Sequence, residues 1–176
     1  MQKMKIKGIT DECFTDYDYP ALYIAFPHCS FKCDIENGAP YCQNSQLASE
    51  PDIEISKEEL IKRYLDNPIT KSIVIGGLEP FDDVVDLLAF IDCARRQFEI
   101  KDPIVIYTGY DEKELEEGNF GRIHNFTIQK SYWENIKNSG NIIVKFGRFR
   151  PNQEKHFDKI LGVWLASDNQ YAKEYK

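Results

Sequence analysis

Three cysteines carry the most chemistry in this chain. Cys29, Cys33 and Cys42 fall within fourteen residues, in a segment that also holds Asn37, Gly38 and Pro40. A polar, turn-rich loop does not bury thiols for packing, and thiolate is a strong, soft ligand for zinc or for an iron–sulfur cluster. Three thiols on a four-iron cluster leave one iron without a protein ligand, and an open position of that kind is where a catalytic metal site receives its substrate. Tyr41 directly precedes Cys42, so its ring either stands beside that position or packs the loop. The other two of the five cysteines read differently. Cys93 lies in an apolar helical pattern and reads as a small buried hydrophobe. Cys13, in an acidic and aromatic stretch, reads as a structural thiol that could still join a metal site. An odd count of thiols argues against a disulfide framework.

The elements that must position these cysteines alternate in type. Leu22-Tyr23-Ile24-Ala25-Phe26 reads as a buried strand that ends where the cysteine loop begins. Ser56-Lys57-Glu58-Glu59 is a capping box for a helix with Leu60, Ile61, Tyr64 and Leu65 on its apolar face, stopped by Asn67-Pro68. A second strand, 71–75, breaks at Gly76-Gly77. Asp82 is placed to cap a helix carrying Val84, Leu87, Leu88 and Ile91. A third strand, 104–107, ends in Thr108-Gly109, and Asp111 starts a short helix through Leu115. Ser131 is placed to cap a helix through Ile136, followed by strands over 141–146 and 160–165. This alternation predicts βαβ crossovers and a parallel sheet, with function at the carboxyl ends of the strands. The cysteine loop, the Gly76-Gly77-Leu78-Glu79-Pro80 turn and Thr108-Gly109 all fall at such ends. Glycine permits close backbone approach, so the amides of that turn can receive a polar ligand; a tight turn explains a lone Gly-Gly equally well.

Composition sets the outer bounds. The chain has 176 residues, 42% hydrophobic and 29% charged, which suits one soluble domain with its core over about 20–170. No apolar run approaches the length of a spanning helix, so no membrane partner is expected. Met1-Gln2-Lys3-Met4-Lys5-Ile6-Lys7 is basic but lacks an apolar run behind it, so no secretory signal and a cytoplasmic location are expected. With 22 Lys and Arg against 29 Asp and Glu, the net charge is −7, which argues against nucleic acid as a partner. His124 and His156 lack ligand-like spacing. Lys145, Arg148, Arg150 and Lys155 form the one local basic run, which reads by default as a solvated stretch, and the acidic segment 111–117 reads as a charged helix face. Trp164 and Phe157 belong either to the core or to a partner-facing surface.

Together these segments resemble a known family. Cys29-x3-Cys33-x8-Cys42 with aromatic Tyr41 resembles an expanded form of the three-cysteine loop of radical S-adenosylmethionine enzymes, and residues 76–80 resemble their GGEP-type turn. Ile106-Tyr107-Thr108-Gly109-Tyr110 with Glu114-Leu115, and Ser167-Asp168-Asn169-Gln170, resemble segments of the activating proteins of anaerobic ribonucleoside-triphosphate reductase. The chain departs from that pattern in two ways: eight residues stand between the second and third cysteines where two are usual, and the late strand lacks the acid of an Asp-Gly step before Gly147. The inserted polar residues, 34–40, are expected to bulge outward and leave the sulfurs convergent.

The resemblance implies an α/β fold of the partial (β/α) barrel type with a mainly parallel sheet. It implies a [4Fe–4S] cluster on Cys29, Cys33 and Cys42, with S-adenosylmethionine on the open iron. Gly76, Gly77 and Glu79 would line its methionyl end, Tyr41 and Gln43 its nucleoside, and Thr108 and Gly109 the ribose or adenine side. The implied activity is reductive cleavage of S-adenosylmethionine to a 5′-deoxyadenosyl radical. That radical would install a glycyl radical on the large subunit of an anaerobic ribonucleotide reductase, with an electron donor such as flavodoxin. Residues 167–170 would then serve partner docking. Two alternatives stay open: a small radical enzyme acting on a metabolite such as a purine-like precursor, and a zinc-stabilised binding module completed by His28 or Cys13.

Overall fold

The computed structural model describes residues 3–176. Strands β1 (Lys3–Ile6), β2 (Gly8–Cys13) and β3 (Ala21–Phe26) lead to helix α1 (Lys32–Asn37). Strand β4 (Ile53–Ser56) runs into α2 (Lys57–Asp66), and β5 (Ser72–Gly77) precedes α3 (Val84–Asp92). Strand β6 (Ile104–Tyr107) is followed by α4 (Glu112–Glu117) and α5 (Phe126–Lys137). Then come β7 (Ile142–Phe146), β8 (His156–Asp158), β9 (Val163–Leu165) and β10 (Tyr171–Tyr175). Of the basic N-terminal stretch, Met1 and Gln2 lie outside the described residues. Among those described, no helix is long and apolar enough to cross a membrane.

The central sheet has six strands in the order β10-β7-β6-β5-β3-β2. Strands β3, β5, β6 and β7 are parallel, and the two edges, β2 and β10, are antiparallel. The protein is therefore α/β with a mixed, mostly parallel sheet. The parallel strands are continuous apolar runs because both of their faces are covered. Strand periodicity sorts their side chains. Ile24, Ile75, Ile106 and Val144 join the larger core with Leu60, Phe90 and Trp133 of the helices. Val74, Val105 and Ile143 face the other way, against Tyr17, Leu161 and Leu165. Helices thus cover one face, while irregular segments and the β8–β9 ribbon cover the other. A separate pair, β1 with β4, adds Met4, Ile6 and Ile55 to the larger core.

The four parallel strands and the helix over 57–66 follow the sequence pattern, and Ser56 accepts from the Glu59 amide as expected. Other expectations need correction. The helix over 126–137 is capped by Asn125, whose side chain accepts from the Ile128 amide, whereas Ser131 lies inside it. Asp82 does not cap α3, because its carboxylate is engaged elsewhere; a 3-10 turn, Pro80–Asp83, comes first, and Glu79 caps that turn. Segment 160–165 is not a strand of the main sheet. Asp158 Oδ1 accepts from the Ile160 and Leu161 amides, and this turn leaves only Val163–Leu165 extended against β8. Leu65, expected on the apolar face of α2, is 52% exposed. Gly76 and Gly77 are the last residues of β5, paired with Ala25 and Phe26, not a turn beyond it.

The cap assignment gives the first prediction. Asn125→Ala lowers the unfolding free energy by about 1 kcal/mol, and exposed Ser131→Ala changes it by less than about 0.5 kcal/mol. Urea denaturation of the two apo variants measures the difference, and equal losses would contradict the assignment.

Candidate metal centre

The loop leaving β3 reverses direction at Phe31, which takes a left-handed conformation (φ 50°) at the start of α1. Helix α1 places Cys33 in its first turn and stops at Gly38 (φ 66°), a conformation glycine adopts without strain. The segment 34–40, expected to bulge outward, has a helical first half, and Ile35, Glu36, Gly38 and Pro40 are exposed. Two side chains draw the rest of the loop inward. Asp34 Oδ1 accepts from the Cys42 amide at 2.7 Å, and Asn37 Nδ2 donates to the carbonyls of Cys33 (2.7 Å) and Phe149 (3.3 Å). Eight intervening residues thus still return Cys42 to Cys33.

All three cysteines line one cavity of about 320 Å³ at the carboxyl ends of the parallel strands. Gln43, Gly77, Glu79, Thr108 and Gly109 line it too. The two remaining expected site residues lie apart. Tyr41 is 45% exposed and is not part of the wall. Gly76 is packed against Tyr23, whose hydroxyl would stand 2.9 Å from a Cβ added there. At Gly77 a Cβ would come within 2.7 Å of Ala25, and φ is +86°, so only glycine lets this strand end open onto the cavity. Asn44 Nδ2 holds the Gly77 carbonyl at 2.9 Å.

Glu79 is the brace of this rim. Its Oε1 accepts from Thr108 Oγ1 (2.7 Å) and the Phe81 amide (3.1 Å), and its Oε2 from the Gly109 amide (2.8 Å). Its own amide donates to the His28 carbonyl at 2.7 Å. One buried side chain thus joins the ends of β5 and β6, while its backbone holds the start of the cysteine loop. Burial, then the nearby Asp82, pushes its carboxyl up to about 7, against those three hydrogen bonds. Thr108 Oγ1 and the Gly109 amide are consequently engaged by Glu79 and not free toward the cavity. Asp82 does similar work: it accepts from the Ser30 amide (2.6 Å) and from Tyr110 Oη (2.7 Å).

Two of the thiols are shifted toward the protonated form and the third away from it. Burial pushes Cys29 up to about 12. Cys33 and Cys42 share a proton: the hydrogen bond raises Cys33 and draws Cys42 below the ordinary thiol value. Binding a metal group releases these protons, since thiolate is the ligand. Among the described residues, no group of three or more His, Cys, Asp and Glu side chains is placed closely enough to hold a single metal ion. His28 Nδ1 pairs with Asp83 Oδ2 at 2.5 Å, Cys13 Sγ donates to Asp16 Oδ2 at 2.9 Å, and neither lines the cavity. Cys93 is buried as expected.

Two wall residues escape the sequence reading. Lys145 and Arg148 are buried and line the cavity, so this part of the basic run is not a solvated stretch. Arg148 pairs with Glu114 (2.8 Å) and Glu36 (3.4 Å), so the acidic helix face is not merely solvated either. The available signal was a lysine inside β7, a five-residue strand otherwise wholly apolar. Segment 167–170, expected to serve partner docking, makes several internal contacts, with Asp168 exposed. Ser167 is fully buried, and Gln170 Oε1 accepts from the Ala166 and Ser167 amides while its Nε2 donates to the Gly147 carbonyl. Asn169 Nδ2 donates to the Arg148 carbonyl. These residues pin the chain behind β7 in place.

A sheet whose strand ends present three cysteines to one cavity defines an α/β protein equipped for a thiolate-ligated metal group. The chain belongs to the 4Fe-4S single cluster domain family, whose model matches residues 21–170. No curated protein and no solved structure matches it. It is accordingly a 4Fe-4S protein.

The loop geometry carries the next prediction. Asp34→Ala frees the Cys42 amide and weakens retention of iron and sulfide by about tenfold or more, the range for losing a group that orients a ligand. Asp34→Asn, which keeps an acceptor oxygen, retains most of it. Iron and sulfide content after anaerobic reconstitution and gel filtration measures this, and full retention by Asp34→Ala would contradict it.

Proposed function

We propose that the chain is a radical S-adenosylmethionine activase that installs a glycyl radical on the large subunit of an anaerobic ribonucleotide reductase. The observation that carries the reading is the convergence of Cys29, Cys33 and Cys42 on one cavity that also opens onto Gly77. On this reading the three cysteines hold the [4Fe–4S] cluster. Two further side chains that could have closed it, His28 and Cys13, do not line the cavity and are tied to Asp83 and Asp16. The bound cluster supplies one electron for reductive cleavage of S-adenosylmethionine, the source of the 5′-deoxyadenosyl radical.

The chain's own residues contribute position and shielding. The side-chain-free end of β5 at Gly77 leaves room on the cavity wall for the methionyl end of the cofactor. Glu79 acts indirectly, by fixing that end against Thr108 and Gly109. Gln43 faces the cavity and is the candidate contact for the nucleoside. The six-stranded sheet, with helices on one face and the cavity at its strand ends, fits a partial (β/α) barrel of the radical S-adenosylmethionine type. Reactive radicals require that water be kept out, and a partner must cover the mouth. Trp164, 69% exposed, borders the cavity and meets Phe157 edge-on at 5.9 Å. This aromatic pair is proposed as a partner-facing surface beside residues 167–170, of which Asp168 is exposed.

The test is anaerobic reconstitution followed by S-adenosylmethionine and dithionite. The wild-type chain forms 5′-deoxyadenosine, Cys33→Ala loses at least about 99% of that activity, and the large reductase subunit acquires a glycyl radical signal in electron paramagnetic resonance. A chain that holds iron and sulfide but forms no 5′-deoxyadenosine would contradict the reading. 5′-Deoxyadenosine without a radical on the reductase would overturn the choice of target.

A further inference from the structure

Lys145 is buried at the cavity wall with no carboxylate of its own. It is 7% exposed and is the one charged residue of β7. Strand alternation turns it, with Ile143, away from the helices. Its Nζ donates to the Gly147 carbonyl at 2.8 Å and stands 6.0 Å from the centre of the Tyr107 ring. Among the described residues it forms no ion pair, whereas Arg148 on the same wall has two. Glu79 and Cys33 line the same cavity and are the groups that favour its ammonium when they carry charge. Glu79 is already satisfied by three donors and lies beyond ion-pair distance. Asp16, the other carboxylate lining the cavity, accepts from Cys13 and Thr15 and forms no ion pair with Lys145, which leaves the cysteine side of the cavity.

A buried ammonium with a single neutral acceptor is costly, and burial draws this amine down to about 8 against the opposing pull of Glu79 and Cys33. Methionine or leucine would fill the same space at lower cost. A charge kept in such a place is useful where negative charge arrives. Three thiolates and an added electron bring it.

We infer that Lys145 is the charge-balancing residue of the metal centre, its ammonium offsetting the negative charge of the thiolate-bound cluster and favouring its one-electron reduction. This rests on the reading that Cys29, Cys33 and Cys42 hold the cluster. In the step concerned, an external one-electron reductant such as dithionite gives one electron to the cluster. No bond forms or breaks, and Lys145 keeps its proton. Lys145 is a positioning residue in this sense: it acts through the field it sets at Cys33. The Gly147 hydrogen bond is the competing, purely structural role.

Lys145→Gln separates the two roles, because it removes the charge and keeps an N–H donor; Lys145→Met removes both. The full chain is reconstituted anaerobically without S-adenosylmethionine, and its reduction is titrated by electron paramagnetic resonance. Both variants are expected to reduce about tenfold less favourably at a given potential, a shift of about 59 mV to more negative values for one electron. Apo Lys145→Met is expected to melt at or above the wild-type temperature, since an uncompensated buried charge is gone. A Lys145→Gln protein that folds normally but retains less cluster also supports the inference. Unchanged potentials in fully loaded variants would overturn it, as would unfolding of Lys145→Gln. Weakened S-adenosylmethionine binding with an unmoved potential would assign the ammonium to the cofactor's carboxylate and overturn it too. If the wild-type chain retains no iron and sulfide, the cysteine reading itself has failed, and that failure is visible before any variant is made.

Discussion

The closure of the loop between Cys33 and Cys42 is the constraint on which this rim depends. A separation of nine residues would let two sulfurs drift far apart, and the chain prevents this by local means. A turn of helix takes up residues 32–37, a left-handed glycine stops it, and Asp34 recovers the Cys42 amide. Hydrogen bonds to a carboxylate are among the stronger ones available to a loop. Asn37 then ties the helix to Phe149, so the loop is fixed to the segment behind β7 and not only to itself.

The rest of the rim is organised by buried polar groups that serve one another. Glu79 unites two strand ends, and Asp82 unites the loop with Tyr110. Gln170 satisfies three backbone groups behind β7. Such networks are stable only when every member is satisfied, and they fix one arrangement when they are. Against this background, Lys145, buried on the cavity wall without an ion pair among the described residues, is an exception. Exceptions to local rules tend to fall at functional sites.

Much of the fold was legible because it follows from periodicity. The parallel strands announce themselves as unbroken apolar runs, and the Ser56 cap stands directly before a helical face. The edge strand β10, Tyr-Ala-Lys-Glu-Tyr, was not legible, since an antiparallel edge with charged residues lacks that signature. Asn125 was passed over for Ser131 because the apolar spacing of α5 begins weakly. At the site, the three cysteines, Gly77 and Glu79 could be read from residue type and position. What Glu79 touches could not, because its partners lie thirty residues away across a parallel pair. Lys145 and Arg148 were hidden by their neighbours: a basic run looks solvated until strand alternation turns one member inward and two acids capture the other.

The central claim is that exactly three protein thiolates serve a four-iron cluster here, leaving one iron open. Mössbauer spectroscopy of the anaerobically reconstituted full chain tests it most directly. The account predicts irons divided three to one, with the minor site alone shifting when S-adenosylmethionine is added. Four equivalent irons unaffected by S-adenosylmethionine, or a sulfide-free centre, would contradict it.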